Sequence, residues 1–491
     1  MFTGIFRIFS HQGWGWFVLD LIMLVTILVI VVVIILENKD PVKTIAWILI
    51  LMLIPVGGII FYFYLGRNPR KRKLINEKVF TDHISLDLMA KKQLVELHAR
   101  RFIKDERLAP MRYMMQLLLS NSKALITKHN RIKVLHNGRQ TFGSIIYELE
   151  HATDHIHLEF FIIEEDQIGN RIKDILIKKA REGVEVRVVY DDLGSWSLSR
   201  KFIRELTSAG AGVASFMPVR SYIFANKVNF RLHRKIIVID GRVGFVGGIN
   251  IAERYLRGLG RDNLWRDTHL RIEGDAVASL QAVFLMDWGF VSGSIENDLR
   301  YFPASHIEEH QLVQIVASGP DSDWESIMQA YFSAINRANH YVYISTPYFL
   351  PNESIRMAMK TAALSGVDVR ILLPEKCDSW MVGMSSRSYL KELLLAGVKV
   401  FFYMKGFTHS KLMIVDDIFS SVGTANMDIR SFNQDFEVNA LIYGESVAVK
   451  LKKNFLEDIS FSRELNISEW ESRPVHEKVQ ESLARIFSPL L

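Results

Sequence analysis

The sequence predicts an α/β fold: two tandem halves forming one pseudo-symmetric catalytic unit, preceded by an N-terminal two-helix transmembrane hairpin. Three observations predict it. The pattern H-x-K-x4-D occurs at His233, Lys235 and Asp240 and again at His409, Lys411 and Asp416. Each copy is trailed at the same offset by small residues and an asparagine, Gly247-Gly248-Ile249-Asn250 and Gly423-Thr424-Ala425-Asn426. Two long apolar stretches, residues 17–36 and 44–65, stand ahead of both copies.

The N-terminal stretches come first in the chain. Residues 17–36 are almost wholly aliphatic with one acid, Asp20, and residues 44–65 carry no charge. At about 1.5 Å rise per residue, each is long enough for a hydrocarbon core of about 30 Å. Trp14, Trp16, Tyr62 and Tyr64 stand where interfacial anchors are expected. A cleaved signal peptide is the competing reading. It fits poorly, because the apolar run is too long, lacks a small-residue cleavage site and is followed by a second run. Pro55, Gly57 and Gly58 predict a kink that membrane helices tolerate. The cations of residues 67–73 predict that the downstream chain and the N-terminus share the cytoplasmic side. The expected location is thus the cell membrane, multi-pass, with the catalytic part and both termini cytoplasmic.

Composition narrows the function. The formal net charge is +6, and residues 67–107 hold 12 Lys+Arg against 6 Asp+Glu, so this segment carries the whole surplus. A basic block directly after apolar stretches predicts contact with an anionic membrane surface. A nucleic-acid binder would spread such charge over its catalytic body, so no nucleic-acid partner is expected. Cys377 is the single cysteine, which leaves no disulfide within the chain and no cysteine metal cluster. Neither a metal nor a cofactor is expected.

From about residue 125 the chain repeats itself. Residues 155–162 and 341–346 read as strands, 171–182 and 354–364 as helices that end at Gly183 and Gly366, and 184–189 and 367–372 as strands again. Residues 205–210 and 392–397 follow, and then the histidine pattern. Strands alternating with helices predict mainly parallel sheets. The expected divisions are a hairpin at 1–66, a basic helical linker at 67–124, and halves at 125–305 and 306–491.

Read as a strand over residues 232–240, the motif sets His233 and Lys235 on one face. A hairpin closed by Gly241-Arg242 would bring Asn250 opposite His233, and one at Asp417-Ile418 would bring Asn426 opposite His409. Lysine and asparagine suit phosphate oxygens, and imidazole can attack phosphorus or carry a proton. Two halves facing each other would supply a nucleophile and an acid for an in-line displacement. Asp240 and Asp416 complete the motif, but each ends an apolar strand at a turn, where aspartate is common for structural reasons. Glu437 and Asp267 are candidates to orient a histidine through its second nitrogen, with a surface carboxylate as the alternative.

These residues resemble the signature of the phospholipase D superfamily, and the hairpin, Leu65-Gly-Arg-Asn-Pro-Arg, Tyr190-Asp-Asp-Leu-Gly-Ser195 and Ser431-Phe-Asn-Gln-Asp-Phe-Glu437 are similar to bacterial cardiolipin synthases. The resemblance implies two phospholipase D-like halves that convert two phosphatidylglycerol molecules into cardiolipin and glycerol through a phosphatidyl-histidine. It implies His233 as nucleophile and His409 as acid/base, the reverse staying open because the sequence is symmetric between them. Lys235, Lys411, Asn250 and Asn426 would hold phosphate oxygens. Thr424 stands where the superfamily often has serine, and Asp267 near where a glutamate is expected. A phospholipase D-type hydrolase or another phosphatidyltransferase is the main alternative, with a nuclease or a non-catalytic membrane scaffold further off.

Overall fold

The computed structural model describes residues 14–36, 41–62, 80–99, 105–218, 229–258, 264–294 and 298–488. They fall into two compact units, one before and one after residue 73.

The first unit holds the helices Trp14–Leu36, Pro41–Leu53 and Pro55–Phe61. Ile30 and Ile34 pack with Leu51 and Tyr62. No helix among the described residues is long and apolar enough to cross a membrane. This overturns the expected pair of spans and the multi-pass topology with cytoplasmic termini built on them. The second stretch is broken where Ile54 leaves helical geometry, at φ −135° and ψ 72°. Pro55 has no N–H and clashes with a preceding helical turn, so the helix must restart there. The resulting pieces are about 20 Å and 10 Å long at 1.5 Å per residue, short of the roughly 30 Å of a hydrocarbon core. The first helix carries Asp20 in its second turn. Residues 67–73 lie outside the described residues.

The second unit contains two mixed sheets with the same strand order. In the first half the order is Asn130–His136, Thr268–Gly274, Val243–Gly247, Lys235–Ile239, His155–Phe160, Glu185–Asp191, Gly212–Phe216. In the second it is Leu312–Ser318, Glu437–Tyr443, Phe419–Gly423, Leu412–Val415, Tyr341–Ser345, Asp368–Pro374, Lys399–Tyr403, with Ile126–Thr127 and Ser462–Glu464 added at the edges. Only the last three strands of each seven run parallel to one another. The mainly parallel sheets expected are therefore mixed ones. Short turns join the motif strands, and a short turn can only make an antiparallel pair, whereas a helix supplies each parallel crossover. The crossover helices Gln167–Arg181 and Glu353–Leu364 end before Gly183 and Gly366, whose φ values of 90° and 93° suit glycine.

Each sheet is covered on its outer face by helices. Ile145, Ile172, Leu176 and Phe202 cover the first sheet, and Met359, Leu390 and Leu393 the second. The helices Ala276–Ser292 and Glu445–Ser460 contribute Val277, Leu280, Leu451 and Phe455 to a third core shared by both sheets. Residues expected to link the units instead pack on the second half. Leu97, Met111, Met115 and Leu118 share a core with Val342 and Ile371, and Ile126–Thr127 pairs with the strand Leu312–Ser318. Among the described cations of the basic block, Lys91 pairs with Asp87 and Arg107 with Glu445.

The motif hairpins depart from the expected register by one residue. Ile239 faces Val243 and Val415 faces Phe419, so each loop has three residues. Asp240 and Gly241, and likewise Asp416 and Asp417, have positive φ between 51° and 62°. Arg242 and Ile418 then donate to the carbonyls of Ile239 and Val415 at 3.0 Å. Two successive left-handed residues make the tight turn whose twist suits a hairpin, and the third residue shifts the ladder. Continued, this register would set Ile249 and Ala425 opposite the histidines, not Asn250 and Asn426.

Asp240 and Asp416 hold these turns to the neighbouring strand. The Asp240 carboxylate accepts from the backbone N–H of Thr153, Asp154 and His155 at 2.8–3.2 Å and from the Thr153 hydroxyl. Asp416 accepts from Asn339, His340 and Tyr341 at 2.7–2.9 Å. Both lie seven residues from the histidines, about 23 Å of extended chain at 3.3 Å per residue, so the motif aspartates are turn clamps rather than proton carriers. Asp240→Ala leaves three backbone donors unpaired and is expected to cost about 1–3 kcal/mol in chemical denaturation, while the folded enzyme keeps its kcat.

Candidate active site

The two halves exchange backbone at two matching places. Leu232 bridges Phe436 in parallel, with the N–H of His233 donating to Phe436 O at 2.9 Å and that of Phe436 donating to Arg231 O at 2.8 Å. In the mirror arrangement, Gly406–Thr408 pairs in parallel with Leu264–Arg266, and the N–H of His409 donates to Arg266 O at 2.7 Å. Each histidine therefore arrives beside the residue that follows its partner segment in the other half. Those residues are Glu437 and Asp267.

The carboxylates cross over. Nδ1 of His233 lies 2.9 and 3.0 Å from the two oxygens of Glu437, and Nδ1 of His409 lies 2.8 Å from Oδ2 of Asp267. Glu437 and Asp267 are fully buried. Each histidine thus has one nitrogen held and Nε2 turned away from the carboxylate. Lys235 donates to His233 O at 2.7 Å and lies 5.6 Å from the Phe161 ring centre. Lys411 donates to His409 O at 2.7 Å, and its Nζ stands 2.9 Å from Nε2 of His409. Both lysines are buried without a carboxylate partner within ion-pair distance among the described residues.

Burial sets the electrostatics. It drives Lys235 down to about 7 and Lys411 to about 8, the nearby carboxylates opposing. It drives His233 down to about 4 against the pull of Glu437, and His409, beside Lys411 and Lys235, well below the ordinary range. The two carboxyls diverge. Burial pushes Asp267 up to about 7 against the pull of Lys411. Burial also raises Glu437, but the charge and hydrogen bond of His233, with Lys235 and Thr424, hold it below the glutamate range.

The asparagines are placed unlike each other. Asn250 accepts from the N–H of Ile162 at 3.1 Å and donates to the Tyr255 hydroxyl at 2.8 Å. Tyr255 stands edge-on to His409, 5.6 Å between ring centres, so Asn250 meets the site through Tyr255. Oδ1 of Asn426 is buried with no hydrogen-bond partner among the described residues. Among those residues, no group of three or more His, Cys, Asp or Glu is placed to hold a metal ion.

The structure gives roles that the sequence leaves unassigned. Thr424 donates to Glu437 at 2.5 Å, whereas its counterpart Gly248 has no room for a side chain, because a Cβ there would stand 2.3 Å from Oδ1 of Asp267. The threonine and glycine of the two trailers thus follow the carboxylate that each one meets. Asp191 accepts from the N–H of Leu232 at 2.9 Å and pairs with Arg231, fastening the approach to His233. Phe161 stands edge-on to His233 at 5.0 Å, and Trp265 lies 5.3 Å from His409. The segment 190–195 carried a visible signal for Asp191, but Tyr255 and Phe161 carried none.

Comparison with known proteins identifies the family. The model of the PLD-like domain of cardiolipin synthase matches residues 145–288 and 331–459, and that of the phospholipase D-nuclease N-terminal segment matches 24–67. The chain is 44% identical over 464 residues to a cardiolipin synthase of Geobacillus sp. (strain WCH70), covering 93% of this chain and 90% of that protein. The chain belongs to the cardiolipin synthase family. Another member, from Halalkalibacterium halodurans, is 42% identical over 499 residues, covering 100% of this chain and 97% of its own length. The family's fold extends further. Phosphatidylserine synthase of Haemophilus influenzae Rd KW20 superposes with a TM-score of 0.60 at 15% identity, covering 77% of this chain and all of that one.

Two predictions follow from these electrostatics. Glu437→Gln and Asp267→Asn keep the shape of the side chain but remove the charge that fixes each imidazole. Each is expected to lower kcat by about 10³- to 10⁴-fold in steady-state assays. Lys235 and Lys411 are protonated below about 7 and 8 and lose their charge above. The value of kcat/KM should therefore fall as pH rises through this range, and Lys235→Arg should move the fall to higher pH, read from a pH–rate profile.

Proposed function

We propose that this chain transfers a phosphatidyl group between two phosphatidylglycerol molecules, giving cardiolipin and free glycerol. The crosswise pairing of each motif histidine with a buried carboxylate of the other half carries this reading. It supplies two oriented imidazoles beside two lysines, the set needed to displace one phosphodiester oxygen by another. Nε2 of His233 attacks phosphorus while the bond to the glycerol oxygen breaks, and His409 gives that oxygen a proton. His409 then takes the proton from a hydroxyl of the second phosphatidylglycerol. The freed oxygen attacks phosphorus, the P–N bond breaks and His233 returns to its starting state.

The unequal carboxyls support this division of labour. Glu437 stays anionic and keeps Nδ1 of His233 protonated, leaving the Nε2 lone pair for attack. Asp267, pushed up to about 7, shares a proton with His409 near neutral pH. Burial and then the charge of Lys411 oppose an imidazolium at His409, and an arriving phosphodiester anion offsets that positive field. Lys235, Lys411 and Asn426 would face the phosphate oxygens and headgroup hydroxyls. The cations of residues 67–107 support contact with anionic phospholipid.

His233→Ala and His409→Ala are each expected to abolish cardiolipin formation from phosphatidylglycerol in micelles, with chelator present. Phosphohistidine should be trapped in the His409 variant and not in the His233 variant. Phosphatidic acid as the main product would favour a hydrolase, and a phosphoryl group on His409 would reverse the assignment.

A further inference from the structure

Beneath each histidine–carboxylate pair lies one buried arginine joined to one buried aspartate. At the first pair the arginine is Arg234, which directly follows His233. Its Nε donates to the carbonyl of Glu437 at 3.2 Å, its Nη1 pairs with Asp287, and its guanidinium lies 5.5 Å from the ring centre of Phe436. At the second pair the residue after His409 is Ser410, and the arginine comes from the other strand. Arg266 directly precedes Asp267, donates to the Asp267 carbonyl and to the hydroxyls of Thr268 and Ser410, and pairs with Asp458 at 2.8 and 2.9 Å. All four residues are at most 6% exposed.

The arrangement repeats although the residues do not. Arg234 and Ser410 hold the same place in the motif, as do Phe436 and Arg266 before the carboxylates. The arginine has changed strands: Arg with Phe at one pair, Ser with Arg at the other. Its target has not changed, being in both cases the main-chain carbonyl of the residue whose carboxylate holds the histidine. The aspartates also correspond. Asp287 lies on the helix Ala276–Ser292 and Asp458 on Glu445–Ser460, each helix following the strand that the carboxylate segment enters. A buried arginine and aspartate are costly to desolvate, and two well-packed apolar residues would serve packing as well. Their recurrence on exchanged strands singles out the carbonyl grip as what both sites need.

We propose that Arg234–Asp287 and Arg266–Asp458 are positioning pairs. Each arginine grips the backbone that carries one carboxylate, and each aspartate fixes the arginine. The carboxylate oxygen is thereby kept on Nδ1 of the other half's histidine.

The strand exchange supplies the test, whose kinetic part rests on the phosphatidyl-transfer reading. Arg234→Ser should lower kcat by about 10- to 100-fold with KM little changed, the usual effect of losing a group that orients a reacting side chain. Adding Phe436→Arg recreates at the first pair the serine and arginine of the second, and should recover about tenfold or more of the loss. A second readout needs no substrate. In enzyme with ¹⁵N-labelled histidine, the downfield N–H signal that disappears in His233→Ala reports the bond to Glu437. It should broaden or shift in Arg234→Ser and return in the double variant. Asp287→Asn, which keeps the shape of the side chain, should weaken the signal and kcat in the same direction should Arg234→Ser fail to fold. A double variant no better than the single one, or an Asp287→Asn enzyme with unchanged signal and kcat, would overturn the proposal. Wild-type enzyme making no cardiolipin would instead reject the transfer reading, and the N–H signal would still decide the positioning pairs.

Discussion

Everything at the centre of this molecule depends on a buried carboxylate reaching across from one half to hold the imidazole of the other. Glu437 and Asp267 are inaccessible to water, and an ionised carboxylate there costs several kcal/mol unless partners satisfy it. Its partner is available only when the halves are docked, because His233 and Glu437, like His409 and Asp267, come from opposite halves. Docking and catalytic geometry are thus one problem. The backbone bridges at Leu232–Phe436 and at Gly406–Thr408 with Leu264–Arg266 set the reach of each side chain. The core shared by both sheets and by the helices Ala276–Ser292 and Glu445–Ser460 joins the halves.

The same burial gives the site its appetite for an anion. Lys235 and Lys411 are out of water and, among the described residues, have only backbone carbonyls and imidazoles within hydrogen-bonding distance. Burial lowers both, because buried ammonium groups side by side resist carrying positive charge. In the proposed transfer a phosphodiester would relieve that resistance, and the charge that builds on its oxygens during displacement would be met by donors already in place. The fold therefore spends stability on a preorganised field instead of waiting for side chains to assemble around the substrate.

Duplication has been followed by divergence at the points that touch the carboxylates. Thr424 braces Glu437, while Gly248 leaves room for Asp267. The arginine beneath each pair has moved from one strand to the other. The turn clamps at Asp240 and Asp416, far from the chemistry, have stayed alike down to the backbone groups they hold. Elements that only build the half keep their symmetry, and elements that tune a proton do not.

The sequence by itself determined the two halves, the motif histidines and lysines, and the glycine-capped crossover helices, because each is written in local spacing: a period of two, a capping residue, a repeated offset. It also raised Glu437 and Asp267 as orienting carboxylates, but not which histidine each would meet. That was decided by tertiary structure, since residues 204 and 142 positions apart in the chain come together only through contacts between halves. The hairpin register slipped by one residue because backbone torsions at Asp240 and Asp416, invisible in a residue pattern, chose a three-residue loop. The second of the expected membrane spans failed for a related reason. Apolar composition records a tendency to leave water, whereas the length of an unbroken helix depends on where the backbone bends, and here it bends at Ile54 and Pro55.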